Sequence, residues 1–89
     1  MTEKEIWLKN LFLGTEFDKY VLEHPEIEKH IPRGAIVVLM PEDNPELAQI
    51  NRKIAEENRE PGQPIVYVSI GRLTQVKSRI SNVKLKLAV

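Results

Sequence analysis

The stretch "AIVVLMPEDNPELAQINRKIAEENREPGQPIVYVSI", residues 35–70, contains the pattern that decides the fold. Residues 35–40 are apolar without alternation, which is typical of a strand covered on both faces of its sheet. A helix is predicted from Pro45 to about Arg59, and residues 65–70 predict a second strand. A strand, a helix and a strand in this order form a βαβ unit. We therefore expect the two strands to be parallel and joined by a right-handed crossover.

Three acidic residues follow the first strand, at a junction where many α/β proteins bind ligands: Glu42, Asp43 and Glu46. Asn44 is a preferred N-cap, and Pro45 suits the first position of a helix. The carboxylates should stabilise the positive end of the helix dipole by about 0.3–1 kcal/mol each. A carboxylate metal site would need several oxygens converging on one point. A helix start is therefore the preferred interpretation, and a metal-dependent enzyme using the three acids is an alternative.

A first helix is predicted from about Glu3 to Glu23, with Thr2 as its N-cap. One face carries apolar residues at helical spacing: Ile6, Leu13, Phe17 and Tyr20. Five more large apolar residues lie outside that face: Trp7, Leu8, Leu11, Phe12 and Leu22. A helix that is apolar nearly all round is normally buried on more than one side. Because one small sheet covers a single face, we expect the second face to form a homo-oligomer interface, most simply in a two-fold dimer.

Two segments of the same chain are alternatives to a second copy, because either of them could fold over that second face. Residues 25–30, "PEIEKH", follow the helix end at His24 and predict another turn or two. Residues 83–89, "VKLKLAV", alternate strictly between apolar and other positions, and predict a half-exposed edge strand whose lysines resist sheet-to-sheet aggregation. The whole chain, residues 1–89, is then a single small α/β (α+β) domain of order α-β-α-β-β.

The charged residues are segregated along the chain. It contains 13 basic and 13 acidic residues, but residues 64–89 contain no acid. Their five basic residues are Arg72, Lys77, Arg79, Lys84 and Lys86. The preferred interpretation is that this segment packs against an acidic helix, in its own chain or in a neighbour. The alternative is a patch that binds nucleic acid or another polyanion, since phosphate binding needs several Lys or Arg on one surface.

Several classes of function find no support in the sequence. The absence of cysteine excludes disulfides and thiolate metal sites, and only two histidines are present. The chain has no nucleophile motif, Gly-rich phosphate loop or paired histidine ligands. We therefore expect a protein-interaction module without intrinsic enzyme activity, metal or cofactor. No signal peptide and no apolar run near the ~20 residues of a membrane span is visible, so we expect a cytoplasmic protein.

Residues 10–70 resemble a family of small prokaryotic proteins described only as a domain of unknown function. The motifs that carry the resemblance are "EFDKY", "HPE", "IPRGAIVVLMPEDNPEL" and "GQPIVYV". The family has no assigned activity or catalytic residues, so the resemblance implies none here. The chain departs from the family pattern at Asn44, where an acid is expected as often, and this departure weakens the case for a metal site.

Overall fold

The structure, a computed structural model, describes residues 1–74 and 78–88. Over these residues the chain forms a small α+β domain with two helices, a short 3₁₀ helix and two strands. In chain order the elements are α1 (Glu3–Glu23), the 3₁₀ helix (Pro25–His30), β1 (Ile36–Pro41), α2 (Pro45–Asn58) and β2 (Ile65–Ile70). The sequence predictions for both helices and both strands are confirmed to within one or two residues.

Local capping signals set both ends of α1. Thr2 Oγ1 accepts a hydrogen bond from Glu5 N at 3.1 Å, which satisfies one of the unpaired N–H groups of the first turn. At the other end His24 precedes Pro25, and a residue before proline is disfavoured in the α conformation. The His24 N–H donates to Tyr20 O at 2.8 Å and closes the last turn. The predicted turn at "PEIEKH" is the 3₁₀ helix.

The two strands form a parallel sheet, as the βαβ pattern predicts. Ile36 lies opposite Ile65, and the register continues without a break to the last residue of each strand. Helix α2 packs on β1. Leu47 of α2 and Val38 of β1 are only 1% and 3% exposed, so the densest packing lies between these two elements.

The core of the described residues is small. The buried apolar side chains are Leu13, Val38, Leu47 and Ala55. Two residues with the helical spacing of core positions are nevertheless exposed, Tyr20 by 50% and Ile54, seven residues after Leu47, by 47%. A two-stranded sheet is only one strand spacing wide, so it is too narrow to cover both positions. Tyr20 stacks on His24 with ring centroids 4.1 Å apart, and Ile54 lines an open groove beside β1.

The chain exposes more surface than a compact protein of its mass. Its accessible surface is 7922 Å². A folded monomer of 10.3 kDa is expected to expose about 5,400 Å². The radius of gyration, 18.1 Å, also exceeds the roughly 12 Å expected for 89 residues. On the order of 2,500 Å² of surface is therefore in excess of what a closed single chain would show.

The predicted C-terminal edge strand does not form within the described residues 78–88, which belong to no helix or strand. A strand is stabilised by hydrogen bonds to a neighbouring strand, and the sheet of the described chain contains only β1 and β2. The hydrogen bond seen in this segment is local, from Ile80 N to Ser78 Oγ at 3.2 Å. Leu85 and Leu87 are 93% and 88% exposed, and Val89 lies outside the described residues.

Candidate functional site

The second apolar face of α1, which the sequence predicts to be an oligomer interface, is exposed to solvent in the single chain. We call it the outer face; its members, 47–82% exposed, are Trp7, Leu8, Leu11, Phe12 and Leu22. At about 100° per residue these side chains span an arc of about 140°. The buried Leu13 lies roughly opposite the centre of this arc, so α1 faces its own domain with the other side of the helix. Neither the 3₁₀ helix nor residues 78–88 remove these side chains from solvent.

The outer face is large for a surface patch. Trp7 and Leu22 are separated by about 22 Å along the helix, at 1.5 Å per residue. From the exposed fractions, the five side chains present roughly 600 Å² of apolar surface. The largest patch on a typical monomer covers about 300–600 Å², and patches of that size are often functional. The outer face is therefore at the upper end of what monomeric proteins expose.

A groove extends the outer face toward the rest of the domain. It has a volume of 300 Å³ and is lined by side chains of α1 and of the β1–α2 junction. Leu8 and Phe12 form its α1 side, and Pro41 and Leu47 lie on the opposite side. Most of its surface is apolar. A partner that covers the outer face thus has a depression beside it into which a side chain can insert.

The acidic junction starts α2, as predicted. Asn44 Oδ1 accepts a hydrogen bond from Leu47 N at 3.2 Å, and Pro45 occupies the first turn. Glu46 is engaged elsewhere, because its carboxylate lies 3.3 Å from the amino group of Met1. Over the ranges 1–74 and 78–88, no three His, Cys, Asp or Glu side chains are grouped so that they could hold a metal ion. The geometry gives the metal-enzyme alternative no support.

A pair of asparagines that the sequence did not single out as a pair joins three elements. Asn10 of α1 and Asn51 of α2 exchange two side-chain hydrogen bonds, of 2.8 and 2.9 Å. Asn51 Nδ2 also donates to Leu39 O of β1 at 2.9 Å. Asn51 lies four residues from both Leu47 and Ala55, the buried residues of α2. Its partner could not be identified, since Asn10 lies 41 residues away.

Four of the candidate polyanion residues, Arg72, Arg79, Lys84 and Lys86, are exposed and lie outside the helices and strands. The fifth, Lys77, lies outside the described residues. Within the described part of the chain, no regular element holds these four side chains at a fixed spacing. Packing of this segment on an acidic helix of its own chain is not observed among the described residues, whose ion pairs join other groups. Packing on an acidic helix of a neighbouring chain stays a prediction.

Comparison with known proteins identifies a family and nothing more specific. No helix in the described part of the chain combines the length and apolarity that a bilayer crossing needs. No curated protein and no solved structure matches the chain. One family model, described as "Family of unknown function (DUF5647)", matches residues 5–83. Because this match spans most of the sequence and agrees with the resemblance carried by the motifs, the chain belongs to the DUF5647 family of unknown function.

Proposed function

We propose that the protein is a non-catalytic homo-oligomer, most simply a two-fold dimer, that acts as a protein-interaction module through the outer face of α1. The observation that carries this proposal is the exposure of five large apolar side chains on a helix whose opposite side is already packed. The surface excess of the single chain, to which the exposed residues 78–88 also contribute, is in line with a chain that associates.

The energetics favour association. Burying roughly 450–600 Å² per chain, the lower value without Leu22 near the helix end, contributes about 11–15 kcal/mol of gross hydrophobic free energy per chain, at about 25 cal/mol per Å². Both copies of a dimer contribute this amount. Lost translational and rotational freedom costs about 4–15 kcal/mol, and ordering of side chains adds to that cost. The gross gain therefore exceeds the cost, and the dimer should form at micromolar concentration.

The polar residues on the outer face favour an antiparallel arrangement of two α1 helices. Lys4, Leu11 and Asp18 follow one another at intervals of seven residues, so they lie nearly in line along the helix. Leu11 is midway between the two charges. If a two-fold axis passes beside Leu11, Lys4 of each copy meets Asp18 of the other. Both charged residues are exposed, and in the described residues neither belongs to an ion pair of its own chain.

The same arrangement accommodates the largest side chain. A two-fold axis at Leu11 places Trp7 opposite Thr15 of the other copy, with Gly14 next to it. Small residues at a helix contact let a bulky side chain from the facing helix insert between them. The proposed interface between two α1 helices thus pairs large with small residues and positive with negative charges. This is the complementarity expected of a face that associates with a second copy of itself.

Light scattering at micromolar concentration tests the proposal. The unmodified chain should have twice the mass of 10.3 kDa, and Leu11→Glu should be monomeric with an unchanged helical circular dichroism spectrum. Lys4→Asp should raise the dissociation constant about 5–30-fold, because it removes two ion pairs and introduces two like-charge contacts worth about 1–2 kcal/mol together. Adding Asp18→Lys should restore most of the affinity.

The matched control is Lys53→Asp, which changes the net charge by the same amount on an exposed part of α2. It should leave the dissociation constant within about two-fold. A strictly monomeric unmodified chain would refute the dimer. A dimer that tolerates Leu11→Glu would show that its interface lies elsewhere, and a charge reversal without rescue would reject the antiparallel arrangement.

A further inference from the structure

The outer edge of β2 carries backbone groups that no strand of the described chain pairs with. Ile36 N donates to Pro64 O at 2.9 Å, and Glu42 N donates to Ile70 O at 2.8 Å, across the two strands. In a parallel ladder successive residues point alternately toward and away from the neighbour. From the register, the N–H and C=O groups of Tyr67 and Ser69 therefore point away from β1. These groups form an unpaired edge, which is a template for another strand.

The outer edge of β1 is protected by comparison. Pro41 has no N–H to donate, and proline is tolerated in strands at such an outward-facing edge position. The neighbouring outward carbonyl, Leu39 O, is occupied by the side chain of Asn51. A proline in the edge strand blocks pairing with another strand, and so does a helix that covers the edge and hydrogen-bonds to it through a side chain. Of the two edges, only that of β2 lacks such a block in the described residues.

The C-terminal segment 83–88 matches this edge in length and pattern. It has six residues, as does β2. In β2 the residues at 66, 68 and 70 are apolar, and the intervening Tyr67 and Ser69 are exposed. In the segment, Val83, Leu85 and Leu87 alternate with Lys84, Lys86 and Ala88. The apolar side chains of the segment can therefore lie on the same face of the sheet as those of β2, because side chains alternate between the two faces with a period of two residues.

The same register brings the lysines of the segment beside the Arg52–Glu56 ion pair of α2. Tyr67 lies on the α2 side of the sheet, where its hydroxyl donates to Glu56 Oε1 at 3.4 Å. Arg52 lies over the Tyr67 ring at 5.9 Å, and its hydrogen bond to Glu56 raises the pKa of the Arg52 guanidinium above its ordinary value. If the apolar row of the segment continues that of β2, Lys84 and Lys86 fall on this side. They then add positive charge beside the Glu56 carboxylate.

We propose that residues 83–88 of one copy add as a third strand to the outer edge of β2 in a second copy. This inference rests on the proposed homodimer, since it names the same partner. The connecting residues 71–82 can span at most about 40 Å, at 3.3 Å per residue, so the proposal requires the β2 edge of the second copy to lie within that distance of the end of β2 in the first. The almost complete exposure of Leu85 and Leu87 supports a partner outside the chain. Reciprocal exchange of two identical segments closes with two-fold symmetry.

Disulfide trapping tests the strand exchange, and the absence of native cysteine gives it a clean background. A Ser69→Cys chain is mixed with a differently tagged Lys86→Cys chain and mildly oxidised. Lys84→Cys and Ala88→Cys are run in parallel, because all three positions share a face and one of them should lie opposite Ser69. Directly opposed residues have Cβ atoms about 4.5–5.5 Å apart, within reach of a disulfide after a small adjustment.

The expected result is a cross-link between the two differently tagged chains, at twice the mass of 10.3 kDa, with at least one of these three partners. Leu85→Cys is the matched control, because its side chain points to the opposite face and should give at least ten-fold less product. The double variant Ser69→Cys/Lys86→Cys in one chain reports on intrachain pairing. A cross-link confined to single chains of this variant, or no cross-link in any mixture, would overturn the proposal.

Amide hydrogen exchange provides the second measurement. The N–H groups of Tyr67 and Ser69 should exchange at least ten-fold more slowly in the full chain than in a chain that ends at Asn82. Equal rates in the two chains would contradict the strand addition. The two proposals fail in different ways. A strictly monomeric full chain rejects both, whereas a dimer without cross-links rejects the strand addition and leaves the α1 interface standing.

Discussion

Replacing Asn51 by alanine should destabilise the fold by about 2–3 kcal/mol, although the residue is neither apolar nor fully buried. The change removes three hydrogen bonds that join α1, α2 and β1. Each intramolecular hydrogen bond contributes about 0.5–1.5 kcal/mol net. The change also leaves the Asn10 amide and the Leu39 carbonyl without their partner. Because both are partly buried, water replaces the lost bonds only in part, and the cost should approach the sum of the three.

Urea unfolding followed by circular dichroism measures this cost. Chain concentration must be held fixed, because the stability of a dimer depends on it. For a slope of about 1–1.5 kcal/mol per molar, the midpoint should fall by about 1.3–3 M with the slope unchanged. Asn58→Ala is the matched control on the same helix. Asn58 is exposed and donates only to Ile54 O of its own helix, so the change should cost about 0.5 kcal/mol or less.

A double-mutant cycle isolates the contact between the two asparagines. Asn10→Ala and Asn51→Ala should be non-additive by about 1 kcal/mol or more, because either change alone breaks the reciprocal pair. Strict additivity, or an Asn51→Ala cost no greater than that of Asn58→Ala, would refute the reasoning. The pair would then be a surface contact that does not hold α1 on the domain.

Two further predictions concern the core and the basic segment. Leu47→Ala should lower the free energy of unfolding by about 2–5 kcal/mol in the same assay, because Leu47 is the most buried large side chain of the described residues. A loss below about 1 kcal/mol would mean that the surrounding side chains move in and fill the cavity. A gel shift with duplex DNA at low salt should show no retarded species, because among the described residues no helix or strand gathers the basic side chains of the C-terminal segment. Retardation that disappears as salt rises, and is weakened by Arg72→Ala/Arg79→Ala, would instead establish electrostatic binding.

The elements of the fold were predictable because short-range signals determine them. Thr2 and Asn44 each accept a hydrogen bond from the backbone N–H three residues later, so each helix start is fixed by a few neighbouring residues. Pro25 ends α1 for an equally local reason. The parallel pairing followed from the helix between the strands, since a crossover of that length leaves the second strand running in the same direction as the first.

Burial was less predictable because it depends on how many elements surround a position. Tyr20 and Ile54 have the spacing of core residues, yet the two-stranded sheet does not reach them. The C-terminal segment has the alternation of a strand, but alternation specifies only which side chains share a face and not which edge accepts the strand. The Asn10–Asn51 pair is a long-range contact, and no local pattern indicates which polar side chain on another helix will meet a given asparagine.

The outer face of α1 and the outer edge of β2 are uncovered for the same reason, because the described chain has too few elements to pack against both. Four buried apolar side chains and two strands leave one side of a long helix and one edge of the sheet without a neighbour in the described chain. The outer face, at roughly 600 Å², falls short of the roughly 800 Å² per partner of a standard interface, and a six-residue strand would supply the remainder. Once two α1 helices pair, strand addition becomes a reaction within one complex and takes place at a high effective concentration. The two contacts should therefore strengthen each other, so that a short strand too weak to bind alone becomes part of a stable dimer.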